Sequence, residues 1–89
     1  MKLSEGPGYR YNRITTATTT AVKAGTGVLR GVMLDTTVAS TITFNDVLGT
    51  VMEWPASFPV GCYHGLDILF VGKIEVVTAG ASHLTVWYS

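Results

Sequence analysis

The sequence predicts a small all-β protein, an antiparallel β-sandwich with essentially no α-helix. Short runs rich in Val, Ile, Thr and aromatic residues recur at intervals of roughly ten residues, and Gly or Pro separates them. No segment repeats its apolar residues at the spacing of an amphipathic helix. With 89 residues the chain is long enough for one domain with one core.

The individual strands follow from the β-branched runs and their punctuation. Ile42 and Phe44 alternate with threonines and share one face of a strand. Pro55 ends the strand before it, because proline cannot donate to a β-ladder, and residues 55–61 form the longest irregular stretch. The predicted strands cover residues 14–23, 28–34, 41–44, 51–54, 67–71, 73–78 and 84–88.

Several predicted strands are apolar on both faces. In residues 28–34, Val32 and Leu34 share one face, whereas Leu29 and Met33 share the other. An antiparallel sheet exposed to water normally alternates apolar and polar residues. We therefore expect another subunit to cover the outer side of one sheet, with the loop 55–65 or the N-terminal segment as an intramolecular alternative. The residues predicted to face the core are Phe44, Phe70, Ile74, Val76 and Val86.

Composition and charge exclude some classes of function. Charged residues make up only 13% of the chain and the net charge is zero, without the basic patch of a nucleic-acid-binding protein. No apolar run approaches the roughly 20 residues that a membrane helix needs, and the N-terminus lacks the apolar core of a signal peptide. We expect a cytoplasmic product whose weakly charged surface is covered by partners. A neutral, Thr-rich surface in solvent is the alternative.

The first residues differ from the rest of the chain. Gly6, Pro7 and Gly8 interrupt regular structure, and a short segment rich in Tyr and Arg follows. Both residue types are enriched at interface hot spots. We predict an N-terminal arm over residues 1–12, docked on a neighbouring subunit, and a β-sandwich domain over residues 13–89. The alternative is a terminus whose tyrosines pack on their own domain. The candidate partner-binding residues are Tyr9, Arg10, Tyr11 and Arg13.

The titratable residues do not form a recognisable catalytic or metal-binding motif. Cys62 and His64 are two residues apart, but a zinc site needs three or four ligands. A lone Cys in an apolar segment is usually a small buried residue, so Cys62 is predicted to be buried. The carboxylates are scattered along the chain. We expect no enzyme activity, no cofactor, no metal and no catalytic residue.

Aromatic residues offer one candidate binding surface. An exposed Trp can stack on a sugar ring, although packing in a core or an interface is the usual role of this residue. Trp54, Phe58 and Tyr63 lie within ten positions of each other and, together with His64, are the candidate residues for binding a host-surface glycan. Trp87 is assigned to packing.

Several strand and turn motifs resemble a known family. The Thr-rich segment 14–20, the segment Gly27-Val-Leu-Arg-Gly31, residues 41–46 and the turn Val76-Val-Thr-Ala-Gly80 before the last strand are similar to the short β-sandwich virion proteins of tailed bacteriophages. The resemblance covers about residues 14–88. It implies a short N-terminal arm and a jelly-roll or immunoglobulin-like body.

The resemblance also implies a role. A capsid decoration or cement protein would bind the outer capsid surface and stabilise it, without chemistry of its own. Its partners would be the major capsid protein or other virion subunits, and the protein would be a homo-oligomer, for example a trimer, located in the virion after assembly in the host cytoplasm. The alternative is a tail or fibre module that binds a host-surface glycan. Neither role involves nucleic acid or a membrane.

Overall fold

The computed structural model describes residues 10–89, which form eight β-strands in two antiparallel four-stranded sheets. As predicted, this part of the chain is all-β and contains no helix, and hence none that could cross a membrane. The strands are β1 (Arg10–Ile14), β2 (Thr19–Lys23), β3 (Gly27–Leu34), β4 (Ile42–Asp46), β5 (Gly49–Trp54), β6 (Gly61–Phe70), β7 (Ile74–Thr78) and β8 (Leu84–Tyr88).

The strand order is nested. Sheet A has the order β1-β8-β3-β6, and sheet B has the order β2-β7-β4-β5. Each strand therefore pairs with the strand equally far from the other end of the series: β1 with β8, β2 with β7, β3 with β6 and β4 with β5. As a consequence, every connection except the β4–β5 hairpin passes from one sheet to the other.

Both sheets contribute to one hydrophobic core. Leu29 and Val86 of sheet A and Ile42 of sheet B belong to the same cluster of buried side chains. The predicted core residues are confirmed, since all five are 0% exposed. They are Phe44, Phe70, Ile74, Val76 and Val86.

A register shift changes which residues of β3 face the core. The pairing of β3 with both β6 and β8 shifts between Leu29 and Gly31. Leu29 and Val32 are therefore both fully buried, although strict alternation places them on opposite faces. The predicted assignment of Leu29 to the face opposite Val32 is wrong. Part of the two-faced apolar pattern thus reflects a bulge and does not require a covering subunit.

Two predicted boundaries need correction near the N-terminus. The single strand predicted over residues 14–23 is two strands in different sheets, joined by residues 15–18. Thr78 holds this bend, because its hydroxyl lies 2.6 Å from the Thr16 carbonyl oxygen and accepts the backbone N–H of Thr18 at 3.0 Å. Internal hydrogen bonds of this kind cannot be read from a run of threonines.

The prediction that residues 10–12 lie outside the sandwich is wrong. Arg10, Tyr11 and Asn12 belong to β1 and pair in register with β8, and Ile14 at the end of the strand is buried. The anchoring of Ile14 in the core and the continuous pairing with β8 extend the sheet to Arg10. The rest of the predicted arm, including Tyr9, lies outside the described residues.

The long edge strand β6 was also predicted incompletely. It begins at Gly61, whereas the sequence predicted a strand only from residue 67. Gly65 and Asp67 have positive φ angles of 74° and 50°, so the strand is irregular in its middle. This interruption breaks the alternation that marks a strand in the sequence.

Candidate functional site: the outer face of sheet A

Two rows of side chains cross all four strands on the outer face of sheet A. These positions alternate with buried residues of the same strands, such as Val86 and Tyr88 in β8, and therefore point away from the core. The first row consists of Tyr11, Trp87, Gly31 and His64. The second row consists of Arg13, Thr85, Met33 and Cys62.

Trp87 covers Gly31 on this face. A Cβ atom at position 31 would lie 2.6 Å from Cε2 of Trp87 and 2.9 Å from the carbonyl oxygen of Tyr63, both closer than real Cβ contacts. Glycine within a strand often marks such a close approach. The absence of a side chain at Gly31 therefore allows the indole ring to lie directly over residue 31, where it remains half-buried.

Three further large apolar side chains share this outer face with Trp87. Tyr11 is 45% exposed, Met33 is 38% exposed, and Leu69, which pairs with Val28 on the same face, is 58% exposed. We call Tyr11, Met33, Leu69 and Trp87 the apolar face of sheet A. Clusters of exposed apolar side chains are typical of interaction surfaces.

Two ion pairs flank the apolar face. Arg13 pairs with Asp35 and also donates to the Thr85 hydroxyl at 3.3 Å. On the other side of Trp87, Nη1 of Arg30 lies 3.0 Å from Oδ1 of Asp67. Exposed pairs of this kind contribute only about 0–1 kcal/mol each. They leave the face without a dominant sign of charge.

The outer face of sheet B combines Val77, which lies between Thr19 and Thr43, with a network of polar side chains. Asn45 donates to Glu75 at 3.3 Å and accepts from the Thr50 hydroxyl at 2.9 Å, and Lys73 donates to Glu75 at 3.2 Å. The hydrogen bond from Asn45, followed by that from Lys73, lowers the pKa of Glu75. Thr43 and Glu53 continue this surface across β4 and β5. The two sheets therefore present chemically different surfaces.

The three aromatic candidates for glycan binding come together, but as a packed cluster. The Trp54 ring stacks on Phe58 with centroids 4.6 Å apart and meets Tyr63 edge-on at 5.2 Å. Trp54 is only 6% exposed, so the proposal that it binds a sugar at the surface is wrong for this residue. The Phe44 ring also packs against Trp54, with the two ring centroids 5.3 Å apart. Phe58 and Tyr63 are half-buried.

The candidate arm residues lie far from this cluster. Arg10 and Tyr11 are exposed on β1, and the Arg13 side chain is 46% exposed. The aromatic cluster lies beside β6 at the opposite edge of sheet A, three strand spacings or about 14 Å away. The structure thus does not bring the two predicted sites together.

Cys62 corrects another prediction, because it is exposed and not buried. It lies on the outer face of β6, an edge strand, opposite Met33 of β3. The apolar neighbours in sequence gave no sign that residue 62 begins a strand and faces outward. Within residues 10–89, no group of three or more His, Cys, Asp or Glu side chains is placed to hold a metal ion.

Sequence reasoning missed the central residues of the apolar face. Trp87 and Met33 were assigned to packing or to an apolar strand face, without a binding role. The available signal was Gly31, an interior strand glycine that indicates a close contact with a large neighbour. Only the pairing of β8 with β3 identifies that neighbour as Trp87.

The comparisons with known proteins add no relative. The chain matches no protein-family model, no curated protein and no solved structure. The geometry of the described residues therefore carries the functional argument.

Proposed function

We propose that this chain is a non-enzymatic structural protein of a tailed-bacteriophage virion, a capsid decoration or cement protein that binds the outer capsid surface through the apolar face of sheet A. The observation that carries the proposal is the difference between the two outer faces. Tyr11, Met33 and Leu69 leave apolar surface exposed on sheet A, whereas side chains on sheet B such as Asn45 and Glu75 hydrogen-bond to each other.

The strand order supports a jelly-roll body. A jelly roll is a two-sheet β-sandwich of eight strands built from two Greek keys, and the pairs β1·β8, β2·β7, β3·β6 and β4·β5 have that nested form. An immunoglobulin-like sandwich instead places its first two strands in the same sheet. Here β1 and β2 lie in different sheets, which favours the jelly roll.

Jelly rolls occur in viral capsid proteins, lectins and cupins, and the described residues favour the first. The cupin interior would need room and ligands for a metal, but Phe44, Phe70 and Leu29 fill the core here. The ring predicted to bind a sugar, that of Trp54, is buried under Phe58. A glycan-binding role would therefore have to use other rings, such as the exposed Tyr11 beside Trp87.

Many copies on a capsid would also account for the composition. A chain with only 13% charged residues and no net charge has little electrostatic protection against association. Subunit contacts with the major capsid protein, or with other virion proteins, would cover the apolar face of sheet A. A homo-oligomer, for example a trimer, remains part of this proposal.

The test is binding to purified particles of the encoding phage that lack this chain. Met33→Lys places a charge in the centre of the apolar face, and Thr43→Lys is the matched control on the outer face of sheet B. We expect Met33→Lys to bind at least tenfold more weakly and Thr43→Lys to bind like the unmodified chain, with both variants melting like the parent.

Copy number distinguishes the two virion locations. Band quantitation on particles should give hundreds of copies for a capsid protein and a few to a few tens for a tail or fibre protein. Equal binding by the two lysine variants contradicts the assignment of the docking face. Absence of the chain from every particle fraction contradicts the virion role itself.

A further inference from the structure

The four edge strands differ in the regularity of their pairing. Sheet A ends in β1 and β6, and sheet B ends in β2 and β5. The register shifts between β2 and β7, between β6 and β3, and between β5 and β4. The β1–β8 ladder runs without a shift through all five pairs. Among the described strands, β1 is thus the only edge strand with an uninterrupted ladder.

Regularity matters because an edge strand is a template for another strand. Bulges, prolines and short irregular edges prevent such pairing in natural proteins. Gly65 and Asp67, with positive φ, interrupt β6, and Pro55 directly follows β5. Within residues 10–89, no strand pairs with the side of β1 that faces away from β8. The edge of β1 is therefore the one best suited to strand addition.

We propose that β1 pairs with β1 of a second copy of this chain, antiparallel about a two-fold axis at Asn12. The two A sheets then form one continuous eight-stranded sheet. In this register Tyr11 of each copy lies directly opposite Arg13 of the other, on the outer face. A guanidinium group beside an aromatic ring is a favourable cation–π pair, and directly opposed side chains are the main stabilising contacts between strands.

The residues of β1 fit this register. Tyr11 is 45% exposed and the Arg13 side chain is 46% exposed, so both remain accessible at the sheet edge. On the other face, Arg10 of one copy lies opposite the buried Ile14 of the other, so its charge can stay in water. Two Tyr11–Arg13 contacts form at once, because an isologous interface repeats each contact.

Other registers are less favourable. A two-fold axis at Arg13 sets two guanidinium groups opposite each other, which is destabilising. An axis at Tyr11 pairs only residues 10–12. A slip by one residue places outward side chains opposite inward ones. The zero net charge of the chain adds no long-range repulsion between two copies.

The inference does not rest on the proposed virion role, since it concerns the isolated protein and a strand edge, whereas capsid binding was assigned to a sheet face. Tyr11 belongs to both surfaces, but Asn12→Cys and Met33→Lys each alter only one of them, so failure of one test can be told from failure of the other. Met33 lies outside β1, so Met33→Lys should not alter self-association.

A cysteine crosslink tests the two-fold axis. Directly opposed residues have Cα atoms about 4.5–5.5 Å apart, within the roughly 4.4–6.8 Å range of disulfides. In the full chain with Cys62→Ser, Asn12→Cys should give a disulfide-linked dimer under mild oxidation. Thr19→Cys on the irregular edge of β2 is the matched control. We expect at least tenfold more dimer from Asn12→Cys; equal yields, or no dimer, overturn the proposal.

A charge pair at position 11 tests the register independently of any crosslink. Tyr11→Arg opposes two arginines and should weaken dimerisation at least tenfold by sedimentation equilibrium. Tyr11→Glu places a glutamate opposite Arg13 of the other copy and should preserve the dimer. A chain that stays monomeric at all soluble concentrations, or variants that both dimerise like the parent, overturn the proposal.

Discussion

The Asp46 carboxylate joins two loops by accepting the backbone N–H of Val71 at 3.0 Å and that of Leu48 at 2.8 Å. The first contact holds the turn after β6, and the second closes the β4–β5 hairpin. The backbone N–H of Val47 adds a bond to the Val71 carbonyl oxygen at 3.1 Å. The loop with the exposed Leu48 side chain is thereby fixed to its neighbour.

The hydrogen bond from Val71, with further bonds from Leu48 and Gly49, lowers the pKa of Asp46 despite the opposing effect of burial. A carboxylate with a lowered pKa in the folded state contributes stability that is present above its unfolded pKa of about 3.9 and is lost as the pH falls through the lower folded value. The melting temperature should therefore decrease as the pH drops below about 4. We expect Asp46→Asn to lower the melting temperature at neutral pH and to flatten its decline in acid.

Asp67→Asn is the matched control for Asp46. Asp67 is exposed, and Asn tolerates its positive φ. Thermal melts between pH 2 and pH 7 should show a normal acid decline for this variant, to which the lowered pKa of Glu75 also contributes. Identical pH profiles for Asp46→Asn and the parent would show that the carboxylate has no such role.

Gly31→Ala should destabilise the protein by about 1–3 kcal/mol, the usual cost of overpacking. The added methyl group meets both the Trp87 ring and the Tyr63 carbonyl oxygen. In a Trp87→Ala background, the cost should shrink by at least half, because only the carbonyl contact remains. Urea unfolding of the parent, the two single variants and the double variant measures the coupling free energy between positions 31 and 87. An unchanged cost in both backgrounds contradicts the contact between Gly31 and Trp87.

Phe70→Ala should destabilise the domain by about 3–5 kcal/mol, because Phe70 is 0% exposed in the shared core. A domain of 89 residues should lie near the low end of the roughly 5–15 kcal/mol stability typical of a domain, so this loss should leave the isolated variant marginally stable or largely unfolded. Partners that bind only the folded form should partly restore it. Leu69→Ala is the control: its side chain is 58% exposed, and circular dichroism should show a native melt. Similar melting temperatures for the two variants would show that the inward and outward faces of β6 are assigned the wrong way round.

Replacing each of the two tryptophans by Ala should lower the free energy of unfolding by different amounts. Trp54→Ala removes a buried ring that contacts Phe44 and Phe58, at a cost of about 3–5 kcal/mol. Trp87 is half-buried on the outer face, and Trp87→Ala should cost about 1–2 kcal/mol. Denaturant titrations measure both values. Equal costs would place Trp87 in an environment as closed as that of Trp54.

The sequence predicted the core better than the surface. Phe44 and Val76 lie in runs whose alternation identifies the inward face, and both are buried. Leu29 was misassigned because a bulge in β3 shifts the alternation by one residue. Cys62 was misassigned because the sequence did not show that it lies on the outer face of β6. Tyr11 and Arg13 were identified as interaction candidates, but their place in a strand was not.

By itself, the sequence determined the all-β class, most strand positions and the five core residues, because these depend on local alternation and on Gly and Pro punctuation. The tertiary structure alone decided that β1 pairs with β8, that Trp87 lies over Gly31, and that Tyr11, Met33 and Leu69 share one outer face with Trp87. These features depend on contacts between residues far apart in the chain. Local pattern cannot specify such pairings, since a strand's preferred residues are the same for many partners.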